Sequence, residues 1–371
     1  MTKHLLVISG APLIKTEEGW VGYAPMVVEL DLWFEKAEQV TVIAPTKTKS
    51  ALLSKPLKRQ DIKVISVVSL DFTSFGASLK SLINTPIIKM QMLFAMAKAD
   101  HLHLRAPATL TLLACWLQIL FPFKAKTAKY AGNWSPKAKQ PFSYKMQKWL
   151  LSNTFLTKRM QVLVYGQWPN QTKNIKAFFT ATYWEKDKTP ISPRDYTGPV
   201  KMIYLGTLSA NKRVDYAIEL SSQLMEQGID MSLDIYGDGA ERDRLESLAL
   251  EKKLSERIQF KGNQPANTIA QALKEAHFLV LASISEGWPK AVAEAMFWGA
   301  IPLASPVSCV PWMLGNGKRG LLLDFETDAE TVAAMLTRPR RLQRMADSTQ
   351  EWSRAYTMDK FREEIHKLLE A

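Results

Sequence analysis

The chain has 371 residues, 47% of them apolar, and a formal net charge of +12. This length suits two domains of ordinary size, and the composition supports a sizeable hydrophobic core. The two cysteines, Cys115 and Cys309, lie far apart in sequence, which argues against a disulfide framework or a cysteine metal site and fits a reducing compartment. The first residues lack the features of a signal peptide, so we expect a cytoplasmic protein.

The positive charge is concentrated in the first half of the chain. Residues 1–200 hold 27 Lys and Arg against 12 Asp and Glu, whereas residues 201–371 hold 21 against 24. Between residues 101 and 150 there are eight basic residues and no acidic one, and residues 121–151 interleave lysines with aromatic residues. Such a pattern is typical of a surface that meets nucleic acid, a polyanionic sugar chain or an anionic membrane. A solvated basic face without a partner is the alternative.

In the first half, short apolar strands alternate with helical segments. The predicted strands are "HLLVISG", "VTVIAP", "IKVISVVS", "HLHLRAP" and "QVLVYG". Alternation of strands and helices predicts a parallel sheet with helices on both faces. The apolar run at residues 108–123 has 16 residues, which is short for a membrane span of about 20, so we predict a buried helix there.

The alternation restarts after "TPISPRDYTGP", a segment with three prolines at residues 189–199 that we predict to be a linker. The following predicted strands are "VKMIYLG", "MSLDIYG", "RIQFKG", "HFLVLAS" and "AIPLAS". The predicted fold class is therefore α/β, with two Rossmann-like doubly wound domains. Neither domain has G-x-G-x-x-G after its first strand, so a dinucleotide cofactor is not expected.

The stretch "SEGWPKAVAEAMFWGAIP", residues 285–302, holds Glu286 and Glu294 eight positions apart. The strand "FLVLAS" ends just before it, and Pro289 is predicted to be the first residue of a helix. Ligands of open parallel sheets bind beyond the carboxyl ends of the strands, and a helix N-terminus there suits a phosphate. One carboxylate on each side, accepting hydrogen bonds from hydroxyl groups, makes a nucleotide sugar the natural ligand.

This stretch resembles the E-(x)7-E signature of retaining glycosyltransferases of the GT-B fold, in particular family 4. Three other segments resemble that family in the same order, and together they cover about residues 200–324: "YLGTLSANKRVDYAIEL", "LDIYGDGAERDRLESLALE" and "IQFKGNQPANTIAQALKEAHFLVLAS". The resemblance implies two domains facing a cleft. We predict an N-terminal acceptor domain at 1–188, the linker at 189–199, a nucleotide-sugar domain at 200–355 and a C-terminal helix at 356–371 that crosses back to the first domain.

The resemblance also implies roles for individual residues of the second domain. Glu286 would orient the donor sugar, Glu294 would bind the ribose hydroxyls, and Lys212 would neutralise the leaving diphosphate. The alternatives are an exposed helical carboxylate for Glu294 and a solvated helix start for Lys212. The remaining predicted donor-binding positions here are the backbone of Gly287, Trp288, Pro289 and Lys290, together with Gly237 and Arg213. Arg213 would supply the charge of an arginine that the family carries where this chain has Thr207.

In the first domain the resemblance is weaker and departs from the family at two places. Gly22, or else Gly19, would take the place of a Gly-Gly loop that closes over the diphosphate. Arg105 stands where the family often has a histidine, and we predict that it faces the donor sugar or an anionic acceptor group as a third catalytic residue. A salt bridge to a carboxylate of its own domain is the alternative for Arg105. For His101 and His103, hydrogen-bonded imidazoles at a sheet surface are favoured over a metal pair.

These patterns predict a retaining, metal-independent hexosyltransferase. The donor would be a UDP- or GDP-linked sugar used as co-substrate, with no other cofactor and no metal site, since no Asp-x-Asp pair is present. The acceptor would be lipid-linked or a glycan in cell-surface polysaccharide or glycolipid synthesis, reached at the inner face of an anionic membrane, and no nucleic acid partner is expected. The alternatives are a glycosidase or phosphorylase that uses the paired glutamates, and a nucleic-acid-binding protein that uses the basic first half.

Overall fold

The computed structural model describes residues 2–47, 54–70 and 75–370. Contacts within the chain divide it into two compact units. The first unit comprises Met1–Phe178 and Arg362–Ala371, and the second comprises Phe179–Phe361. We call them the first domain and the second domain.

The first domain is built around a parallel sheet of seven strands, with a small antiparallel sheet beside it. Its strands are β1 (Thr2–Ser9), β2 (Leu13–Thr16), β3 (Gly19–Tyr23), β4 (Ala37–Pro45), β5 (Ser54–Pro56), β6 (Lys63–Val67), β7 (His101–Ala106), β8 (Ala125–Tyr130), β9 (Met160–Tyr165) and β10 (Ile175–Phe178). Its α-helices are α1 (Ala24–Phe34), α2 (Phe75–Lys98), α3 (Thr109–Leu117) and α4 (Phe142–Ser152).

The strand order of the large sheet is β10-β9-β8-β7-β1-β4-β6. The chain therefore starts in the middle and winds outward in both directions, which is the doubly wound arrangement. Helices α2, α3 and α4 cover one face, where they share a buried apolar cluster with β1, β7, β8 and β9. On the other face α1 packs against β7, and Trp33 stacks on His103 with ring centroids 3.9 Å apart.

The second domain contains a parallel sheet of six strands. Its strands are β11 (Val200–Leu205), β12 (Met231–Tyr236), β13 (Ile258–Gly262), β14 (Phe278–Leu281), β15 (Ile301–Ala304) and β16 (Leu321–Leu322). Its α-helices are α5 (Val214–Glu226), α6 (Arg242–Glu251), α7 (Ala266–Glu275), α8 (Lys290–Phe297), α9 (Val310–Met313), α10 (Asp328–Leu336), α11 (Pro339–Arg354) and α12 (Met358–Glu370), the last of which continues into the first domain. The strand order β13-β12-β11-β14-β15-β16 is again doubly wound. The predicted class of two Rossmann-like α/β domains is confirmed.

The segment that we predicted to be a linker, residues 189–199, is packed onto the second domain. Arg194 donates hydrogen bonds to four backbone carbonyls at the ends of two helices, those of Leu273, Lys274, Ala276 and Trp298. A guanidinium suits this place because the carbonyls of a helix C-terminus lack intrahelical partners and carry partial negative charge. The domains consequently divide between residues 178 and 179, earlier than the proline-rich segment.

Two stretches of the first domain differ from their sequence-based description. Residues 125–130, which we took for part of a basic surface, form the inner strand β8, and Lys126 and Lys129 are buried there. The apolar run at 108–123 forms α3 and a short 3-10 turn, but only its inner side is buried. Among the described residues, no helix combines the length and the apolar character needed to cross a membrane.

The C-terminal residues are joined to the first domain by a partly buried ion pair, between Lys176 Nζ and Glu364 Oε2 at 2.8 Å. Burial raises the pKa of the Glu364 carboxyl, but hydrogen bonds from Lys176 and Lys367 outweigh burial and hold the pKa at about 2. A carboxylate whose pKa is lowered in the folded state stabilises the protein above its unfolded pKa, and that stability is lost as the pH falls toward 2.

We expect Glu364→Gln to lower the free energy of unfolding by about 1–2 kcal/mol at pH 7, because both lysines are partly exposed and solvent weakens the pairs. The difference from the parent should shrink between pH 4.5 and pH 2, measured by urea unfolding. Glu363→Gln on the same helix is the control, since Glu363 pairs with Lys367 on the exposed surface. An effect of Glu364→Gln no larger than that of the control would contradict the prediction.

Candidate functional site

The candidate site lies where β11 and β14 run side by side in the second domain. On one side of this pair the next strand is β12, and on the other side it is β15, so the winding direction reverses between β11 and β14. The two strands pair only at Met202 with Phe278 and at Ile203 with Leu279, and both continue for two more residues. Such a switch point is where open parallel sheets bind ligands.

The loops that follow these two strands are joined by an ion pair. Lys212 Nζ donates to Glu286 Oε1 at 2.5 Å, and the side chains are 24% and 9% exposed. Asn211 fixes the same two loops through its backbone oxygen, which accepts from Ile284 N–H at 2.8 Å, and through its amide, which donates to Ser285 O at 3.1 Å. The structure thus brings together two of the predicted catalytic residues. Asn211 was missed, since nothing but its place beside Lys212 marks it in the sequence.

Glycines hold the neighbouring loops in backbone-to-backbone contact. A Cβ atom added to Gly237 would lie 1.9 Å from Gly206 O, and one added to Gly239 would lie 2.2 Å from Leu208 O. Gly237 also has φ +125°, a conformation that favours glycine. The loops after β11 and β12 could not approach this closely with larger residues. Packing therefore explains Gly237, the predicted donor-binding glycine, and its contact with a donor stays a prediction.

The loop between Glu286 and α8 is fixed from two sides. Helix α8 begins at Lys290, with Pro289 as its N-cap residue rather than its first residue. Gly287 O accepts a hydrogen bond from Ser308 Oγ at 2.8 Å. Trp288 is 7% exposed, and its ring lies in an aromatic cluster with Trp312, Trp352 and Tyr356. The helix-start N–H groups, which lack intrahelical acceptors, thus follow directly after the Lys212–Glu286 pair.

Glu294 lies in the second turn of α8 and has different neighbours from Glu286. Its Oε1 accepts a hydrogen bond from Thr182 Oγ1 at 2.8 Å. Burial raises the pKa of the Glu294 carboxyl, while Thr182 and the charge of Lys290 lower it. A small cavity of about 10 Å³ adjoins this side chain, lined among others by Tyr183 and Tyr356. A half-buried carboxylate with a hydroxyl partner can accept further hydrogen bonds from hydroxyl groups.

Arg213 is held by aromatic rings of its own domain. Its guanidinium carbon lies 4.4 Å from the ring centroid of Phe325 and 5.5 Å from that of Tyr216. The backbone of Arg213 is left-handed, with φ +47°, which separates the 3-10 turn at Lys212 from α5. Thr207, where the resemblance led us to expect an arginine, accepts a hydrogen bond from Tyr204 Oη through its backbone oxygen. The suggested replacement of that arginine by Arg213 stays a prediction.

In the first domain Arg105 belongs to a charged cluster at the carboxyl end of the sheet. Its guanidinium donates to Glu29 Oε2 at 3.2 Å, and Lys129 Nζ donates to Glu29 Oε1 at 2.5 Å. Lys129 is 1% exposed, and a buried lysine is destabilising unless it is paired. Arg105 therefore has the carboxylate partner that the alternative interpretation required, and its catalytic role stays a prediction.

The other predicted residues of the first domain have structural surroundings. Gly22 lies inside strand β3 rather than in a loop, and a Cβ atom there would meet Leu13 at 2.8 Å and Met26 at 3.0 Å. The residues around it form an antiparallel hairpin with β2, in which Leu13 pairs with Gly22 and Ile14 with Val21. His101 and His103 both share hydrogen bonds with Thr127 Oγ1 at 2.9 Å, but both are buried instead of lying at a sheet surface.

Comparison with known proteins finds, for most of the second domain, a similarity to glycosyltransferases, as the sequence motifs predicted. Residues 185–352 match the family model described as glycosyl transferases group 1. A curated relative, "Putative colanic acid biosynthesis glycosyltransferase WcaL" of Salmonella typhimurium, is 34% identical over 151 residues. That alignment covers 39% of this chain and 37% of the relative, so it spans little more than a third of either protein.

Solved structures resemble the whole chain at low sequence identity. Sucrose-phosphate synthase of Thermosynechococcus elongatus has a TM-score of 0.67 at 17% identity, covering 99% of this chain and 98% of that one. Anabaena Alr3699/HepE, solved in complex with UDP and glucose, has a TM-score of 0.68 at 14% identity, covering 99% of both chains. At this identity the likeness shows the fold alone, which agrees with the predicted pair of Rossmann-like domains of the GT-B type.

Because Glu294 is an acid whose pKa is raised by burial, its ionised form destabilises the fold. We expect Glu294→Gln, which keeps an oxygen acceptor for Thr182, to raise the melting temperature by roughly 2 °C at pH 7. The gain should disappear as the pH falls to about 4.5, where Glu294 of the parent is itself protonated. Calorimetric melting curves between pH 4.5 and pH 7.5 measure it. A lower melting temperature for Glu294→Gln at pH 7 would show that the contacts of the charged carboxylate outweigh the cost of burying it.

In the charged cluster of the first domain, we expect substitutions of Glu29 and Arg105 to lower the free energy of unfolding by different amounts. Glu29→Gln removes the carboxylate that faces buried Lys129, so we expect a loss of about 3–5 kcal/mol in the free energy of unfolding. Arg105→Gln leaves the Glu29–Lys129 pair in place and should lower it by about 1 kcal/mol or less. Urea unfolding at pH 7 compares the two variants. Equal losses would contradict the prediction that the Glu29–Lys129 pair stabilises the fold more than the Glu29–Arg105 pair.

Proposed function

We propose that the whole chain is a retaining glycosyltransferase that uses a nucleotide-diphosphate sugar, and the match of residues 185–352 to the family model described as glycosyl transferases group 1 supports this. The observation that carries the proposal is the Lys212–Glu286 pair at the switch point, followed directly by the start of α8. It supplies a cation and helix N–H groups for a diphosphate, and a carboxylate for sugar hydroxyls.

The proposed division of labour follows the chemistry of each group. Charge builds on the diphosphate as it leaves, so Lys212 and the N-terminus of α8 would stabilise the transition state. Glu286 would hold ring hydroxyls of the sugar, and Glu294 would hold the ribose of the nucleotide. UDP or GDP is the proposed nucleotide carrier, and the complex of Alr3699/HepE with UDP and glucose supports UDP by analogy.

In the proposed reaction the acceptor hydroxyl attacks the anomeric carbon from the side that the diphosphate leaves. The new glycosidic C–O bond forms as the C–O bond to phosphate breaks, and the hydroxyl proton passes to a phosphate oxygen. The products are a glycoside with the configuration of the donor and a nucleoside diphosphate. No step needs an ionised side chain as base. The name of the WcaL relative supports an acceptor in cell-surface polysaccharide synthesis, lipid-linked or glycan.

The site predicts opposite binding effects for its two paired residues. Lys212→Ala should weaken binding of free UDP by roughly 10–100-fold, because a charge-assisted contact to phosphate is lost. Glu286→Gln should keep or slightly improve UDP affinity, since it frees Lys212 from its partner, while turnover falls by about 100-fold. Calorimetry with UDP and a transfer assay with the UDP-sugar measure both effects, and GDP and its sugars are tested in parallel.

Lys252→Ala is the matched control, because Lys252 forms another lysine–glutamate pair on the surface of the same domain, with Glu219 at 2.7 Å. It should change neither UDP affinity nor turnover. If Lys212→Ala binds both nucleotides as tightly as the parent, the phosphate assignment is wrong. The rate of donor hydrolysis without acceptor is compared with the rate of sugar transfer when acceptor is present. If hydrolysis is the faster reaction, a glycosidase is favoured instead.

A further inference from the structure

The outer side of the helix layer of the first domain is unusually apolar. Of the sixteen large apolar side chains that are exposed among the described residues, twelve lie on α2, α3, α4 and the segments that directly follow α3 and α4. They are Leu79, Leu82, Ile83, Ile87, Met90, Phe94, Trp116, Leu120, Phe123, Phe142, Trp149 and Phe155. We call this set the apolar helix face. Contiguous exposed apolar surface on a soluble domain marks an interaction site.

Helix α2 shows that the arrangement is regular. Its buried residues recur on one side and pack into the core, among them Ile88, Met92 and Met96. The six exposed apolar residues recur at helical spacing on the opposite side. A helix that is apolar on both sides would be expected in the interior of a protein, yet one side of α2 is exposed here. The second apolar side of α2 is therefore left uncovered by the described residues.

Helices α3 and α4 extend the same face. Each contacts the other, and α3 also contacts α2. Exposed Trp116 and Trp149 lie beside each other with ring centroids 6.4 Å apart. Phe123, which is 83% exposed, lies in the turn after α3, and its backbone carbonyl accepts a hydrogen bond from the guanidinium of Arg159. Exposed tryptophan and phenylalanine beside basic residues are the composition of a membrane interface.

The segment that carries the apolar helix face is mostly basic. Residues 72–184 include 15 Lys and Arg and a single acidic residue, Asp100, whose carboxylate accepts from the backbone of His4. Of these basic residues Lys126 and Lys129 are buried, and Glu38 and Asp61 line a pocket beside Phe94. Exposed lysines stand among the apolar residues, including Lys89 on α2, Lys145 on α4 and Lys158 after α4. Long basic side chains can place their charge at lipid headgroups while neighbouring apolar groups enter the acyl boundary.

We propose that the apolar helix face docks the first domain onto a bilayer surface that contains anionic lipids, with α2 lying in the plane of the interface. The insertion of apolar side chains adds a component of binding that salt does not screen, in contrast to a purely basic surface. The inference goes beyond the proposed activity, because docking needs neither donor nor acceptor and is measured without them.

Flotation with phosphatidylcholine vesicles containing about 30% phosphatidylglycerol tests the proposal at low and high salt. The parent should bind at low salt and keep part of its binding at high salt, and emission from Trp116 and Trp149 should shift to the blue. Ile83→Gln with Ile87→Gln should lower the partition coefficient at least about tenfold at both salt concentrations. Lys145→Gln with Lys158→Gln should lower it only at low salt.

The control is Leu250→Gln, since Leu250 is an equally exposed large apolar residue, 68% exposed, on the second domain. It should bind vesicles like the parent, and all variants should melt within about 2 °C of it because the changed side chains are exposed. A parent that stays unbound at low salt overturns the proposal. The proposal is also overturned if the parent is a dimer in solution and Ile83→Gln with Ile87→Gln dissociates that dimer without changing vesicle binding. A second copy of the chain would then cover the apolar helix face.

Discussion

The second domain depends on the short pairing between β11 and β14. These strands share two residue pairs, and each continues for two residues more. The loops that follow them meet at the carboxyl edge of the sheet. Asn211 and the Lys212–Glu286 pair hold those loops together, and the glycines after β11 and β12 allow them to come close. The sheet topology therefore determines where the candidate site lies, and the individual side chains determine what it can bind.

Much of this could be predicted from sequence because the signals are local. Apolar strands that end in small residues identified both large sheets, and the run from Glu286 to Glu294 placed two carboxylates around a helix start. Contacts between distant segments could not be predicted in the same way. Arg105 meets Glu29 from 76 residues earlier, and Arg194 reaches Trp298 over 104 residues. No pattern near either arginine identifies its partner, because the fold alone decides which segments meet.

Strand β8 shows why charge in a sequence can mislead. Its two lysines looked like part of a solvated surface, yet Lys126 and Lys129 are buried in an inner strand. Lys129 is paired with Glu29, whereas Lys126 donates to the carbonyls of Gln118 and Phe121, and burial lowers its pKa to about 8. Part of the positive charge of the first half therefore belongs to the interior. The surface that remains is better described by its apolar residues than by its net charge.

The first domain is discontinuous in the chain, and this affects the order in which the protein is assembled during synthesis. Thr2 in β1 donates a hydrogen bond to Leu369 O, so β1 obtains one of its partners only after residue 369 has been made. The second domain, Phe179–Phe361, is a single continuous stretch and has all its own residues before that moment. A ribosome that stops short of residue 362 would therefore leave the first domain, rather than the second, without some of its contacts.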